Sequence, residues 1–216
     1  MTSQLLTRSS QREPARPALP FLGDLALPLA RAHELCGEAR RFLAAIIASR
    51  TQGPIFWIAP RWQAEALNPE AALQLFDPGR ITFLDPARSE DLLWCMEEVL
   101  RSGTAPLVVA DIPAPPGLTA VRRLHLAAEA GAAETAGWPL GLLLTPGAGG
   151  APGIETRWHI AGRHGPGAHR AWQLERRRAR IAPPQSWRLT LQGGQFRLAV
   201  SGTEALPVSG KETLPD

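Results

Sequence analysis

An α/β fold of three layers, with a mostly parallel sheet and a small antiparallel extension at its C-terminal side, is what this sequence predicts. Three observations carry the prediction. The runs Ile55-Phe56-Trp57-Ile58-Ala59, Pro106-Leu107-Val108-Val109-Ala110 and Leu140-Gly141-Leu142-Leu143-Leu144 have the length and apolar continuity of strands buried on both faces. Strands are separated by helices of about ten residues with apolar positions at helical spacing, so strand and helix alternate. Past residue 145 the helical pattern stops, and short alternating runs close on Gly193-Gly194, a hairpin signal.

Residues 1–20 hold three arginines and prolines at 14, 17 and 20, and predict a disordered arm. Residues 31–36 read as a strand passing through Gly37 into a helix over 38–49, where Phe42, Leu43, Ile46 and Ile47 share a face. A turn at Gly53-Pro54 leads into the strand at 55–59. Asn68-Pro69 starts a helix carrying Ala71, Ala72, Leu75 and Phe76, and 81–84 is the next strand. Ser89 is placed as the cap of an amphipathic helix with Leu92, Leu93, Met96, Val99 and Leu100 inward, stopped by Gly103. A strand then ends on Asp111, a helix runs from Thr119 to Ala130 with Gly131 after it, and 140–144 is a further strand. The core therefore spans 21–145 and the β extension 146–202, with strands near 156–160, 171–174, 187–191 and 196–200. Residues 203–216 form a flexible tail.

The chain has 216 residues, 44% of them apolar, enough for one core. Basic residues number 23 against 20 acidic, and Lys211 is the only lysine. The modest net charge of +3 argues against a dedicated nucleic-acid binder. Cys36 and Cys95 have no metal-ligand or CxxC partner and predict two reduced thiols. With no apolar leader and no run near the roughly 20 residues that span a bilayer, a soluble cytoplasmic protein is expected.

The place where a strand turns into a helix at Gly37 is where nucleotide-hydrolysing α/β proteins keep a phosphate loop. That loop needs several glycines, a lysine for the β and γ oxygens and a hydroxyl for magnesium. Here the turn offers Gly37 alone, and the helix opens Glu38-Ala39-Arg40-Arg41. Asp111, at the end of a buried strand, is where a magnesium-orienting carboxylate would sit. Gly37, Arg40 and Asp111 thus outline a degenerate nucleotide site. Asp111 is left with residual nucleotide or metal contact or a loop-start hydrogen bond, and the arginines with an anion site or plain solvation. At the end of the 55–59 strand, where a glutamate would activate water, the chain has Pro60-Arg61-Trp62, with Glu65 nearby. No catalytic residue, metal site or cofactor is expected. His159, His164 and His169 suit no zinc spacing and read as loop residues.

The candidate binding segment is Arg176-Arg177-Arg178 with Arg180, between Trp172 and Trp187. Residues 157–188 hold eight arginines against one acid, Glu175. Arginines beside indoles can hold single-stranded nucleic acid or meet an acidic protein surface, or they can be a solvated strand face. Protein contact ranks ahead of nucleic acid.

The order of these pieces resembles the RecA-like core, with residues 31–48, Ile55–Ala59, the helix ending Leu100-Arg101-Ser102-Gly103, and Leu107–Asp111 in the corresponding places. More closely the chain is similar to the ImuA family of bacterial mutagenesis accessory proteins, related to SulA. The residues that carry this are Ala32-His33-Glu34-Leu35, Asp85-Pro86-Ala87-Arg88, Leu93 to Gly103, Arg122 to Gly131 and Gly141-Leu142-Leu143-Leu144. The missing phosphate loop departs from RecA and suits a family in which it is commonly eroded. The resemblance implies a RecA-like core with a degenerate phosphate loop and a non-catalytic role in SOS-induced translesion synthesis. Its implied partners are an ImuB-type Y-family polymerase homologue, a DnaE-type polymerase and RecA, with weak direct DNA contact and no membrane. Glu97, Glu98, Arg101, Arg122, Arg123 and Glu129 would offer a mixed-charge docking surface. A SulA-like cell-division inhibitor and a weak RecA-like ATPase are the alternatives.

Overall fold

The computed structural model describes residues 16–62, 67–135, 137–163, 170–201 and 206–207. The first part of the chain forms β1 (Ala18–Leu22), β2 (Leu25–Pro28), β3 (Arg31–Cys36), α1 (Arg40–Ala48), β4 (Ile55–Ile58), α2 (Pro69–Leu73) and β5 (Ile81–Leu84). Next come α3 (Ser89–Ser102), β6 (Leu107–Asp111), α4 (Leu118–Glu134) and β7 (Leu140–Thr145). The last strands are β8 (Thr156–Gly162), β9 (Arg170–Ala179), β10 (Gln185–Gln192), β11 (Gln195–Val200) and β12 (Leu206–Pro207). A ten-stranded sheet in the order β12-β11-β10-β9-β8-β3-β7-β6-β4-β5 runs through the molecule. Strands from β8 to β5 in that order are parallel, and those from β8 to β12 are antiparallel. The mixed α/β class is as the sequence predicts, but the extension is long rather than small: β9 alone has ten residues.

Alternation along the strands sends side chains to two separate cores. Leu35, Trp57, Val109, Leu142 and Leu144 meet α1 and the β1–β2 hairpin on one face. Ala32, Ile58, Val108, Ala110 and Leu143 meet α3 and α4 on the other. The hairpin replaces the last residues of the expected arm, since β1 begins at Ala18, and it buries Phe21, Leu22 and Leu27. Phe21 packs edge-on against Trp158, with ring centroids 5.3 Å apart.

Ser89 does not cap α3 but is its first residue, and neither α3 nor α4 opens on a side-chain cap. Arg88 precedes α3 and Gly117 precedes α4, both in extended conformation and without a side-chain cap bond. Gly131 does not end α4 but lies inside it. A Cβ there would come within 2.1 Å of the Leu100 carbonyl oxygen, so the glycine lets α3 and α4 cross in contact. Glu97 joins the same crossing: Arg101 bonds it from its own helix and Arg123 from α4 at 2.6 Å. Part of the expected docking surface is therefore spent on holding the two helices together.

Candidate functional site

The strand order reverses at β3. The chain leaves β3 through α1 on one face and returns beside it from β6 through α4 on the other. The C-terminal ends of β3 and β7 therefore border the crevice in which open α/β sheets hold ligands. Gly37, Arg40 and Asp111 meet there, and the chain itself fills the space.

Gly37 leaves β3 at φ 91°, and its N–H donates to the Gly147 carbonyl at 3.0 Å. A Cβ on it would lie 2.3 Å from the Ile160 carbonyl oxygen and 3.0 Å from the His159 ring. The leading amides of α1 are also used. Ala39 N–H donates to Ile160 O and Arg40 N–H to Gly37 O, each at 3.3 Å. A phosphate at a helix N-terminus needs open space and free N–H groups. Here β8 occupies the space and takes a donor.

Asp111 is 2% exposed. Arg41 Nε donates to its Oδ2 at 2.5 Å, and an Arg40 guanidinium nitrogen stands 3.7 Å from Oδ1. Arg40 also donates to Gly37 O at 3.3 Å, while its Nε is buried with no hydrogen-bond partner. The carboxylate that could orient a magnesium ion is thus neutralised by two guanidinium groups. Arg61 is exposed and bonds Asp85 at 3.0 Å, and Trp62 is exposed. Glu65, His164 and His169 lie outside the described residues.

Beside the crevice sits a carboxylate whose role spacing did not suggest. Glu34 is fully buried, and its oxygens accept from Thr145 Oγ1 (2.8 Å), the N–H of Gly150 (2.8 Å), the N–H of Ala151 (3.1 Å) and the Arg157 guanidinium. Burial alone would raise its pKa, but the Arg157 bond and the other donors outweigh that and hold it below the ordinary carboxylate range. Next to it, Cys36 donates its S–H to Trp158 O at 3.4 Å, and burial pushes the thiol up to about 11.

His33, also buried, bridges β3 to the hairpin and β8. Nε2 lies 2.9 Å from Pro28 O, which can only accept, so Nε2 carries the proton and Nδ1 accepts from Thr156 Oγ1 at 2.7 Å. Thr156 in turn accepts from Trp158 Nε1 at 2.8 Å. Burial holds His33 at about 4 and keeps it neutral. His159 Nδ1 is 3.7 Å from Glu175, too far for a hydrogen bond. Burial and then the charge of Arg177 lower the pKa of His159.

In the candidate binding segment, tryptophans and arginines face different surroundings. Trp172 and Trp187 are 6% and 5% exposed and belong to the core. Trp172 stacks on Phe42 at 4.3 Å, and Trp187 lies 5.8 Å from Trp158. Arg176 follows them, its guanidinium 5.2 Å from the Trp187 ring centre and donating to Pro183 O at 3.1 Å. Arg177, Arg178 and Arg180 are exposed, Arg177 paired with Glu175 at 2.8 Å. Stacking of bases on Trp172 or Trp187 has no room in this packing.

No protein-family model matches the chain, and no curated protein matches it. Among solved structures, SulA from Pseudomonas aeruginosa is similar at a TM-score of 0.43 and 22% sequence identity, over 54% of this chain and 98% of that one. Among the described residues no group of three or more His, Cys, Asp or Glu side chains is placed to hold a metal ion. No helix among them is long and apolar enough to cross a membrane.

Proposed function

We propose that this chain is a non-catalytic scaffold of damage-induced error-prone DNA synthesis. On this reading it is a RecA-like core that holds an ImuB-type polymerase homologue and a DnaE-type polymerase together, with RecA as a further contact. The observation that carries the non-catalytic part is the filled crevice: Ile160 and His159 roof Gly37, and Arg41 and Arg40 grip Asp111. An enzyme gains rate from donors aimed at developing charge, and here Arg41 and the N–H groups of Gly37 and Ala39 are engaged by the protein itself. The partner assignment rests on the ImuA-like segments, above all Leu93 to Gly103 and Arg122 to Gly131.

Exposed aromatic side chains at the β5 end of the sheet favour a docking role. Phe83 lies on the edge strand itself and Trp62 in the loop after β4, which pairs with it. Large aromatics anchor protein interfaces, and an edge strand leaves backbone donors and acceptors for a partner. A deletion strain tests the reading. It should yield fewer ultraviolet-induced mutants at matched survival, with no further loss when the ImuB-type partner is also removed. Titration calorimetry of the purified chain with ATP and magnesium should show no uptake. Normal mutagenesis with altered filamentation after damage would overturn the reading in favour of division control, and micromolar ATP affinity would overturn its non-catalytic part.

A further inference from the structure

Among the described residues, apolar packing covers the antiparallel extension on one side. Trp158, Trp172, Trp187 and Leu189 fill the side toward α1, whereas Glu175, Arg188 and Arg197 alternate to the other side. None of the core formed with α3 and α4 comes from β8 to β11. Where this open side meets α4 there is a cavity of about 650 Å³. Helix α4 lines it with Arg122 and Glu129, the end of β9 with Arg178 and Arg180, and the start of β3 with Arg31.

The base of this cleft is already satisfied. Arg31 pairs with Glu129 and, at 3.6 Å, with Glu155, while Arg16 bonds Glu129 at 2.8 Å. His125 is used as well: Ala32 N–H donates to Nδ1, leaving Nε2–H for the Gly153 carbonyl, each at 3.2 Å. The walls are different. Arg122, Arg178 and Arg180 are exposed, and among the described residues they form no ion pair and no side-chain hydrogen bond. Like charges around one concave surface focus a positive potential, which an anion relieves.

We propose that this cleft, with the open face beside it, binds the backbone of a single nucleic-acid strand. Arg122, Arg178 and Arg180 take phosphates in the cleft, and Arg188 and Arg197 continue the track over β10 and β11. Guanidinium forks suit phosphate and carboxylate alike, so extent and anchoring decide between them. The arginines run on across two further strands, and Glu175, the carboxylate on that face, is already held by Arg177. A peptide ligand would want buried aromatic or aliphatic anchors, and the tryptophans of this segment are turned into the core. Leu126, exposed where it lines the cleft, offers one apolar surface on which a base can rest. A cavity of this volume accepts a nucleotide-sized group, not a duplex. Contacts of this kind read the backbone, so binding is indifferent to sequence and strongly salt-dependent. The inference stands whether or not the chain bridges polymerases.

Fluorescence anisotropy of a labelled single-stranded DNA oligonucleotide, titrated with the full chain over a salt series, is the test. Binding should appear at low salt and weaken linearly in the logarithm of salt. The triple variant Arg122→Ala, Arg178→Ala, Arg180→Ala should bind roughly tenfold more weakly and lower that slope by about 2, since each lost phosphate contact on a single strand removes about 0.7. Its melting temperature should not move, because among the described residues these arginines make no ion pair or side-chain hydrogen bond. Arg61→Ala with Arg88→Ala, at the far end of the sheet, should bind as the unmodified chain does. Absence of binding at low salt, an unchanged slope in the triple variant, or equally tight binding of a duplex would overturn the proposal. Displacement by polyglutamate as effective as by unlabelled oligonucleotide would also overturn it and point to an acidic protein.

Discussion

Replacing Glu34 by glutamine should destabilise the protein more than any surface change, because one carboxylate holds four donors in the dry interior. Glu34 is 0% exposed, and its donors come from β7, the loop after it, and β8. Removing one member of a buried ion pair costs about 3–5 kcal/mol, chiefly because the other charge stays behind. The Arg157 side chain keeps 19% of its exposure and can recover some hydration, so the lower end, about 3 kcal/mol, applies to Glu34→Gln. Glu34→Ala also orphans Thr145 and two backbone amides and should cost about 4–5 kcal/mol. In a chain of this size 1 kcal/mol moves the melting temperature by about 2–4 °C, so glutamine should lower it by roughly 6–12 °C. The pH dependence has a definite sign. The folded-state pKa is depressed, so the stabilisation is present above the ordinary carboxylate range and disappears as pH falls through the lowered value. The difference between the two proteins should therefore shrink in acid. Urea unfolding followed by tryptophan fluorescence, combined in a cycle with Arg157→Met, measures it. A loss under 1 kcal/mol, or strict additivity of the two substitutions, would refute the reasoning.

Three further outcomes are expected. His33, held at about 4 against an ordinary 6.5, binds its proton first in the unfolded chain, so stability should fall as pH drops from 6.5 toward 4, by up to roughly 3 kcal/mol. His33→Gln should flatten that limb of the urea midpoint plotted against pH. Gly131→Ala would ordinarily stabilise a helix by about 1 kcal/mol. With a Cβ 2.1 Å from Leu100 O it should instead lower the thermal midpoint by several degrees. Trp172→Ala should cost about 3–5 kcal/mol and Arg178→Ala less than about 0.5 kcal/mol; comparable losses in chemical denaturation would show that the two faces of β9 are misassigned.

What the sequence revealed and concealed follows from how far apart the partners lie. The central strands were legible because Leu107–Ala110 and Leu140–Leu144 are apolar on both faces, a local property. The β1–β2 hairpin was not, because Pro17 and Pro20 belong to a run of prolines that mimics a disordered arm, although prolines are tolerated where a strand edge needs no ladder bond. The inward turn of Trp172 and Trp187 is legible in the strand period. Trp172 and Leu174 alternate with Gln173 and Glu175, and Trp187 and Leu189 with Arg188 and Thr190, so the strand period already separated indole from guanidinium. Glu34 could not have been found this way. Its donors are 111, 116, 117 and 123 residues away in the chain, and only the β3–β7 and β3–β8 pairings bring them near.

The pairing of charges also decides which end of the sheet can receive an anion. At the crevice a phosphate would have to take Arg41 from Asp111, in a pair that is almost wholly buried, and would meet the Ile160 carbonyl in the space above Gly37. Breaking such a pair costs about 3–5 kcal/mol, which is two to four powers of ten in affinity, before any steric cost is counted. At the cleft beside α4 the same phosphate displaces water from Arg122, Arg178 and Arg180 and leaves no carboxylate unpaired. The site that resembles a nucleotide cradle in its position is thus the poorer anion site by energy. The better one lies on the other side of β3, where the fold brings Arg122 of α4 beside Arg178 and Arg180 of the arginine cluster, a neighbour about 56 residues away that a linear reading does not supply.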